Sequence, residues 1–347
     1  MAQSGTSAAF DIRRSSASNL TSLSPSGRLA SVDVYITSQC NRRCTYCFLP
    51  ADFFTSGARM SMDDFAGVVR WCHRQGIHEI TLLGGEPSLH PSFGAMVSLA
   101  AARRLNVRVV TNGARRFRGL LADGTIGKRN LSRVAVSLDT LDQTAQDCYR
   151  GPGAWQDAID TIKLLRTCQV PFDINVTALR TALNGLDALI GFAEREGCRR
   201  VNVHWPSTIG LGSGLSTDEI PGDDEWKAIV RRIEARREAR PGFFVEIERG
   251  YLDDGMPLTE CAVANFSNLE IMPDGRAYRC GLLVDQPGMA SLIMTGDELS
   301  LSRSAYGEEL LRSTMPPTCD GCPVMRPDDR RACIYDKVRS VSIGSTC

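Results

Sequence analysis

The chain carries no excess charge of either sign: its 40 Lys and Arg residues are matched by 40 Asp and Glu. That balance excludes the basic stripe of a nucleic-acid or anionic-membrane binder, and no nucleic acid is expected as a partner. No apolar run approaches the length of a membrane span, so no membrane is expected either. The N-terminus lacks the long apolar core of a secretory signal, which makes a reducing cytoplasmic compartment the expectation. At 347 residues, 43% of them hydrophobic, the chain is long enough for one large domain plus a smaller one.

Cysteine is abundant. Thirteen of them in a reducing compartment point to metal or redox chemistry rather than disulfides. Three stand in Cys40-Asn41-Arg42-Arg43-Cys44-Thr45-Tyr46-Cys47, a C-x3-C-x2-C spacing directly after the β-branched run 32–37. Three thiolates on one tight loop suit a soft-ligand metal site, and an iron–sulfur cluster is the usual occupant. A four-iron cluster with three protein ligands leaves one iron open to a small molecule. A zinc knuckle or three unrelated thiols are the alternatives. Zinc would want a fourth Cys or His close by, and the next cysteine, Cys72, is twenty-five residues on.

Beyond a Ser/Ala/Thr-rich leader at residues 1–29, expected to be disordered, strand and helix patterns alternate. Residues 32–37, 77–83, 107–110, 131–138, 172–177 and 200–205 read as six strands separated by helices. Ser61 and Asp64 form a capping-box start to a helix that buries Phe65, Val68, Val69 and Cys72 on one face. The second strand runs into Gly84-Gly85-Glu86-Pro87. Paired glycines let backbone approach a ligand closely, and Glu86 can accept from an ammonium group; a plain strand-to-helix turn is the alternative. The third strand ends in Thr111-Asn112-Gly113 and the fourth in Ser137-Leu138-Asp139, where ligand binding and ordinary loop capping both suit small polar residues. Cys148 and Arg150 follow, each with a bland alternative as a packed thiol and a solvated arginine. Six strand–helix units with these motifs at strand C-terminal ends predict an α/β fold, a partial (β/α)6 TIM-like barrel over residues 30–240.

Residues 241–347 have a different texture. Asp274-Gly275 between two short strands predicts a β-hairpin closed by Cys280. With Cys261 before it and Cys319-Asp320-Gly321-Cys322 after it, four thiols are available for a second metal site, either iron–sulfur or structural zinc.

With Tyr46 before the third cysteine of the loop and the Gly84-Gly85-Glu86-Pro87 motif at the second strand end, the chain resembles the radical S-adenosylmethionine (radical SAM) enzymes. The resemblance implies a [4Fe–4S] cluster on Cys40, Cys44 and Cys47 that chelates SAM, with Glu86 in the motif that binds the SAM amino group. It places Asn112, Ser137, Asp139 and Arg150 near SAM, and it implies a flavodoxin or ferredoxin as electron donor. The C-terminal segment resembles the twitch domain, half of the SPASM domain, which implies an auxiliary [4Fe–4S] cluster on Cys261, Cys280, Cys319 and Cys322. The spacing to Cys333 and Cys347 departs from full SPASM and leaves a further cluster without ligands.

The pattern is similar to that of the twitch-bearing 2-deoxy-scyllo-inosamine dehydrogenases. The implied reaction is reductive cleavage of SAM to a 5′-deoxyadenosyl radical and hydrogen abstraction from a small molecule: a sugar, aminocyclitol or nucleoside in natural-product biosynthesis. Oxidation of the substrate radical through the auxiliary cluster would make the enzyme an oxidoreductase. A peptide-modifying enzyme is one alternative, and an epimerase with Cys148 as hydrogen donor is another. A barrel resemblance to the GTP 3′,8-cyclases is also visible, although that family closes with a Gly-Gly where this chain ends Ser345-Thr346-Cys347. A non-enzymatic iron–sulfur or zinc scaffold would bind no SAM.

Overall fold

The computed structural model describes residues 29, 31–239, 243–247, 268–284, 290 and 292–301. The leader up to residue 28, together with Cys261, Cys319, Cys322, Cys333 and Cys347, lies outside the described residues. The six expected strands are present as β1 (Ser31–Thr37), β2 (Glu79–Gly84), β3 (Asn106–Thr111), β4 (Arg133–Ser137), β5 (Phe172–Thr177) and β6 (Arg200–His204). They pair in parallel in chain order. Helices α1 (Ala51–Thr55) and α2 (Met62–Gln75) follow β1, α3 (Phe93–Ala102) follows β2, and α4 (Arg115–Ala122) follows β3. Then α5 (Gln143–Arg150) and α6 (Ala154–Thr167) follow β4, α7 (Arg180–Leu183) and α8 (Leu186–Arg195) follow β5, and α9 (Asp223–Ala239) follows β6. The expected capping box holds, since the Ser61 side chain accepts from Asp64 N at 3.0 Å. This is the α/β partial barrel.

Each strand divides its side chains by the period-two rule. Val32, Val34, Ile80, Leu82, Val109, Val134, Ile174 and Val201 are fully buried. They join Phe65, Phe93, Phe117, Ile162 and Leu189 of the helices in one apolar cluster. Burying side chains of this size contributes roughly 1.5–3 kcal/mol each, so this layer holds the helices on the sheet. The alternate positions turn into the barrel and are largely polar: Asp33, Tyr35, Thr81, Arg108, Arg133, Asp173, Asn175, Asn202 and His204. At the strand N-terminal ends they form an ion-pair plug. Arg108 reaches Glu79 at 3.2 Å, Arg133 reaches Glu79 at 3.7 Å, and Arg133 reaches the fully buried Asp173 at 3.3 Å. Above the plug the interior is open.

The sheet continues on both sides of residue 240. A seventh parallel strand, β7 (Phe244–Ile247), pairs with β6, so the parallel sheet runs past that boundary. On the other side, β8 (Glu270–Ile271) and β9 (Arg276–Tyr278) form the expected hairpin, and β8 pairs in parallel with β1. Antiparallel β10 (Leu292–Thr295) and β11 (Glu298–Leu301) extend it. Among the described residues the order is therefore β11-β10-β9-β8-β1-β2-β3-β4-β5-β6-β7, one sheet of eleven strands. Gly275 holds the hairpin turn at φ +85°, and a Cβ there would lie 2.5 Å from the Met294 carbonyl oxygen. The β10–β11 turn is tied to α2, with Asp297 2.7 Å from Arg74 and 3.5 Å from Arg70.

Candidate active site

The thiol loop leaves the C-terminal end of β1 and is braced from two sides. On the β2 side, Gly85 N donates to Thr37 O at 2.9 Å and Glu86 N to Gln39 O at 2.7 Å. On the other, Thr45 N donates to Tyr149 O at 2.9 Å, while Arg42 donates to Pro152 O at 2.7 Å and pairs with Asp157. Tyr46 donates to the Asp139 carboxylate, which also receives Arg150 through two bonds of 2.7 and 2.8 Å and Thr177 N at 2.8 Å. The Arg150 guanidinium lies 5.2 Å from the Tyr46 ring centroid. Three elements that are distant in sequence thus meet under the third cysteine.

Cys40, Cys44 and Cys47 are partly buried and line one cavity of about 510 Å³ at the strand C-terminal ends. Tyr46, Gly84, Gly85, Asn112, Ser137 and Arg150 line it too, so most of the expected SAM-site residues are brought together. Asp139 is buried beside it, its two oxygens taken by Arg150, Tyr46 and Thr177.

Glu86 and Cys148, two of the expected residues, do not line the cavity. The Glu86 side chain does not reach the cavity: it is fully buried and accepts from Ser88 Oγ at 2.6 Å, Thr111 Oγ1 at 3.0 Å and Asn112 N at 2.8 Å. Desolvation pushes its pKa up and these bonds oppose the rise, so the carboxyl staples the ends of β2 and β3 together. Buried Pro87 opens the single turn Pro87–Leu89 behind it. Cys148, the candidate hydrogen donor of the epimerase alternative and otherwise read as a packed thiol, is exposed on α5 and does not line the cavity. An amphipathic helix ending at the site turned that residue to solvent.

The residues present fit an iron–sulfur cluster by their donor chemistry. Burial pushes the Cys40 thiol up to about 11 and Cys47 up to about 12, so thiolates here require a positive partner, which iron supplies. Arg42 N and Asn112 Nδ2 approach Cys40 Sγ at 3.4 and 3.7 Å, as donors to a cluster thiolate do. Among the described residues no three Cys, His, Asp or Glu side chains are grouped to hold one metal ion. A four-iron cluster differs in taking each thiolate on a separate iron. Asn112 Oδ1 is buried at the cavity wall with no hydrogen-bond partner among the described residues, an acceptor left for a bound ligand.

The cavity holds residues that no motif marked. Asp33 and Tyr35 of β1, Asn175 of β5, and Asn268 and Glu270 at β8 all line it. Their signal was polarity at alternate positions of otherwise apolar strands. Desolvation first, and Asp33 second, push Glu270 up to about 8. Cys280, just after β9, lines the same cavity.

The family comparison agrees with this geometry. The Radical SAM superfamily profile matches residues 34–187. The GTP 3′,8-cyclase of Campylobacter fetus is 25% identical over 278 residues, covering 76% of this chain and 84% of that protein. The PqqA peptide cyclase of Gluconobacter oxydans is 22% identical over 212 residues, 61% of this chain; this chain spans 58% of that relative. Among solved structures, Streptococcus suis SuiB bound to precursor peptide SuiA superposes with a TM-score of 0.62 at 15% identity, over 87% of this chain and 73% of that one. Native anSMEcpe with bound AdoMet gives 0.59 at 15%, over 89% and 94%. At those identities the two structures show the fold. Among the described residues no helix is long and apolar enough to cross a membrane. With thiol loop, glycine pair and strand ends gathered on one cavity, residues 34–187 of this chain are a radical SAM domain.

Proposed function

We propose that the protein is a radical SAM oxidoreductase acting on a small molecule that enters the barrel cavity. Bound to Cys40, Cys44 and Cys47, a four-iron cluster with SAM would supply the 5′-deoxyadenosyl radical that abstracts substrate hydrogen. The protein's own part is positioning and exclusion of water. Gly84 and Gly85 keep the strand end close to the loop, and Asn112, Ser137 and Arg150 present polar atoms to the SAM side of the cavity. Tyr35, Asn175 and Glu270 face the remaining space, where the substrate would be held.

The observation that carries the oxidative reading is Cys280. It shares the cavity wall with the three loop cysteines, so a ligand set of Cys261, Cys280, Cys319 and Cys322 would place an electron acceptor beside the substrate. A cytoplasmic flavodoxin or ferredoxin would supply the first electron. A sugar, aminocyclitol or nucleoside suits the polar wall of Tyr35, Asn175 and Glu270 in the space left beside SAM. The second reading, a peptide substrate, is favoured by the alignment with the PqqA peptide cyclase across 61% of this chain.

Anaerobic reconstitution of the full chain tests the first reading. The expected result is roughly eight irons per chain, falling to roughly four in the Cys40→Ala/Cys44→Ala/Cys47→Ala variant, with 5′-deoxyadenosine formed by wild type alone. Roughly four irons with zinc on the remaining thiols would remove the electron acceptor and leave a redox-neutral reaction.

A further inference from the structure

The cavity wall between β1 and β8 contains a carboxyl pair. Asp33 and Glu270 are register partners on the two parallel strands, and both line the cavity. Glu270 is only 7% exposed. Its Oε1 accepts from Asn268 Nδ2 at 3.0 Å, while its Oε2 is buried with no hydrogen-bond partner among the described residues. The Tyr35 hydroxyl and the Gly281 amide lie close enough to ease the carboxyl's desolvation, without reaching Oε2 in hydrogen-bond geometry.

No described cation forms an ion pair with Glu270. The two arginines at the cavity are engaged elsewhere, Arg150 with Asp139 and Arg42 with Asp157. The charge that eases Asp33 comes from Arg108, in the plug at the far end of the strands. The backbone also makes room for this carboxyl. A Cβ at Gly281 would lie 2.6 Å from Glu270 Oε1, so glycine directly after Cys280 leaves that space to Glu270. A carboxyl buried without a cation avoids the cost of a desolvated charge by keeping its proton, and an unpaired oxygen kept on a cavity wall is left for a cationic donor that enters the cavity.

We infer that Glu270 and Asp33 form a cation subsite that receives a primary ammonium group of the substrate. The inference rests on the reading that substrate occupies this cavity. Two carboxyls side by side, one with a free acceptor, match a compact group that carries one positive charge and three N–H donors. A hydroxyl would offer one donor and no charge. The substrate class thereby narrows to amines small enough to lie between this wall and the SAM side: an amino sugar, an aminocyclitol or a lysine-like side chain.

The test uses the full reconstituted chain with SAM and no reductant. Two probes of equal size, cyclohexylammonium and cyclohexanol, are titrated by ligand-observed NMR at about pH 8.5, where the amine is still protonated. Wild type is expected to bind the ammonium roughly tenfold or more tightly than the alcohol, the value of one charge-assisted hydrogen bond. Glu270→Gln and Asp33→Asn are each expected to reduce that preference, Glu270→Gln to near unity. Equal binding of both probes by wild type, or a preference unchanged in Glu270→Gln, would overturn the inference. The wild-type comparison needs no variant to fold. Wild type that cleaves SAM under reductant but shows no preference overturns the ammonium subsite alone. Wild type that shows the preference but never forms 5′-deoxyadenosine overturns the proposed function alone.

Discussion

Gly85 is packed against Cys40: a Cβ on Gly85 would lie 2.7 Å from the Cys40 Cβ and 2.3 Å from the Gln39 carbonyl oxygen. Gly84 is as tightly placed, with φ +151° and a Cβ position 2.3 Å from Thr37 O. The glycine pair therefore acts first as a seat for the cysteine loop, and the strand end can approach a ligand only because the loop already lies on it. This gives the paired glycines a cause internal to the protein.

Gly85→Ala should displace the loop at Cys40. Overpacking against backbone costs about 1–3 kcal/mol, and relief requires moving Gln39 or the cysteine itself. Iron retained after reconstitution should fall, and the apparent Tm with it. Gly119→Ala is the control: it lies in α4 with no atom within 4 Å of an added Cβ. Alanine there should leave iron content unchanged and stabilise slightly through helix propensity. Equal iron in the two variants would contradict the seating role.

Asp139→Asn should loosen the loop from its other side. Arg150 loses a buried two-bond partner and Tyr46 loses its acceptor. Breaking a buried pair from one side typically costs about 3–5 kcal/mol, because the remaining charge stays desolvated. The denaturation midpoint should drop accordingly. If Asp139 served only to touch ligand, the variant would keep its midpoint and lose SAM affinity instead.

Much of this was legible in the sequence, and the reasons differ by feature. The strands were readable because the outward positions of β1 to β6 are β-branched or aliphatic and lie between Gly, Asn and Asp signals. The Asp274-Gly275 turn was readable because few residues tolerate φ +85°. What a local pattern could not give was side-chain direction at strand ends. Glu86 and Asp139 each follow a strand, yet their partners Thr111 and Arg150 come from other elements. The pairing of β8 with β1 was equally invisible, since two residues some 240 positions apart carry no periodic signal. Glu270 carries no sequence signal for that reason, being one charged residue in a short apolar run.

Cys148→Ala should be silent. The thiol is exposed on α5 and outside the cavity, so it contacts neither the loop thiols nor the substrate space. Product formation and 5′-deoxyadenosine yield should match wild type within error. A product whose stereochemistry or amount changed in the variant would return the epimerase reading.

Glu270 should also leave a mark on stability against pH. Its folded-state pKa is raised to about 8 from an ordinary 4.5, so between those values the folded protein holds a proton that the unfolded chain has released. Stability rises with pH only where the unfolded state binds more protons; here the folded state does, so stability must fall as pH rises through that window. Asp33, Glu86 and Asp173 are shifted in the same direction by their own burial, and the wild-type slope contains them all. The variant isolates one contribution. Glu270→Gln keeps the shape, cannot ionise, and should lower the apparent Tm less between pH 5 and pH 8 than wild type does. The thiols at about 11 and 12 do not titrate in this range and add nothing to the difference. Parallel Tm profiles for the two proteins would mean that the Glu270 carboxyl already ionises near its ordinary value, held by a cation in the folded state.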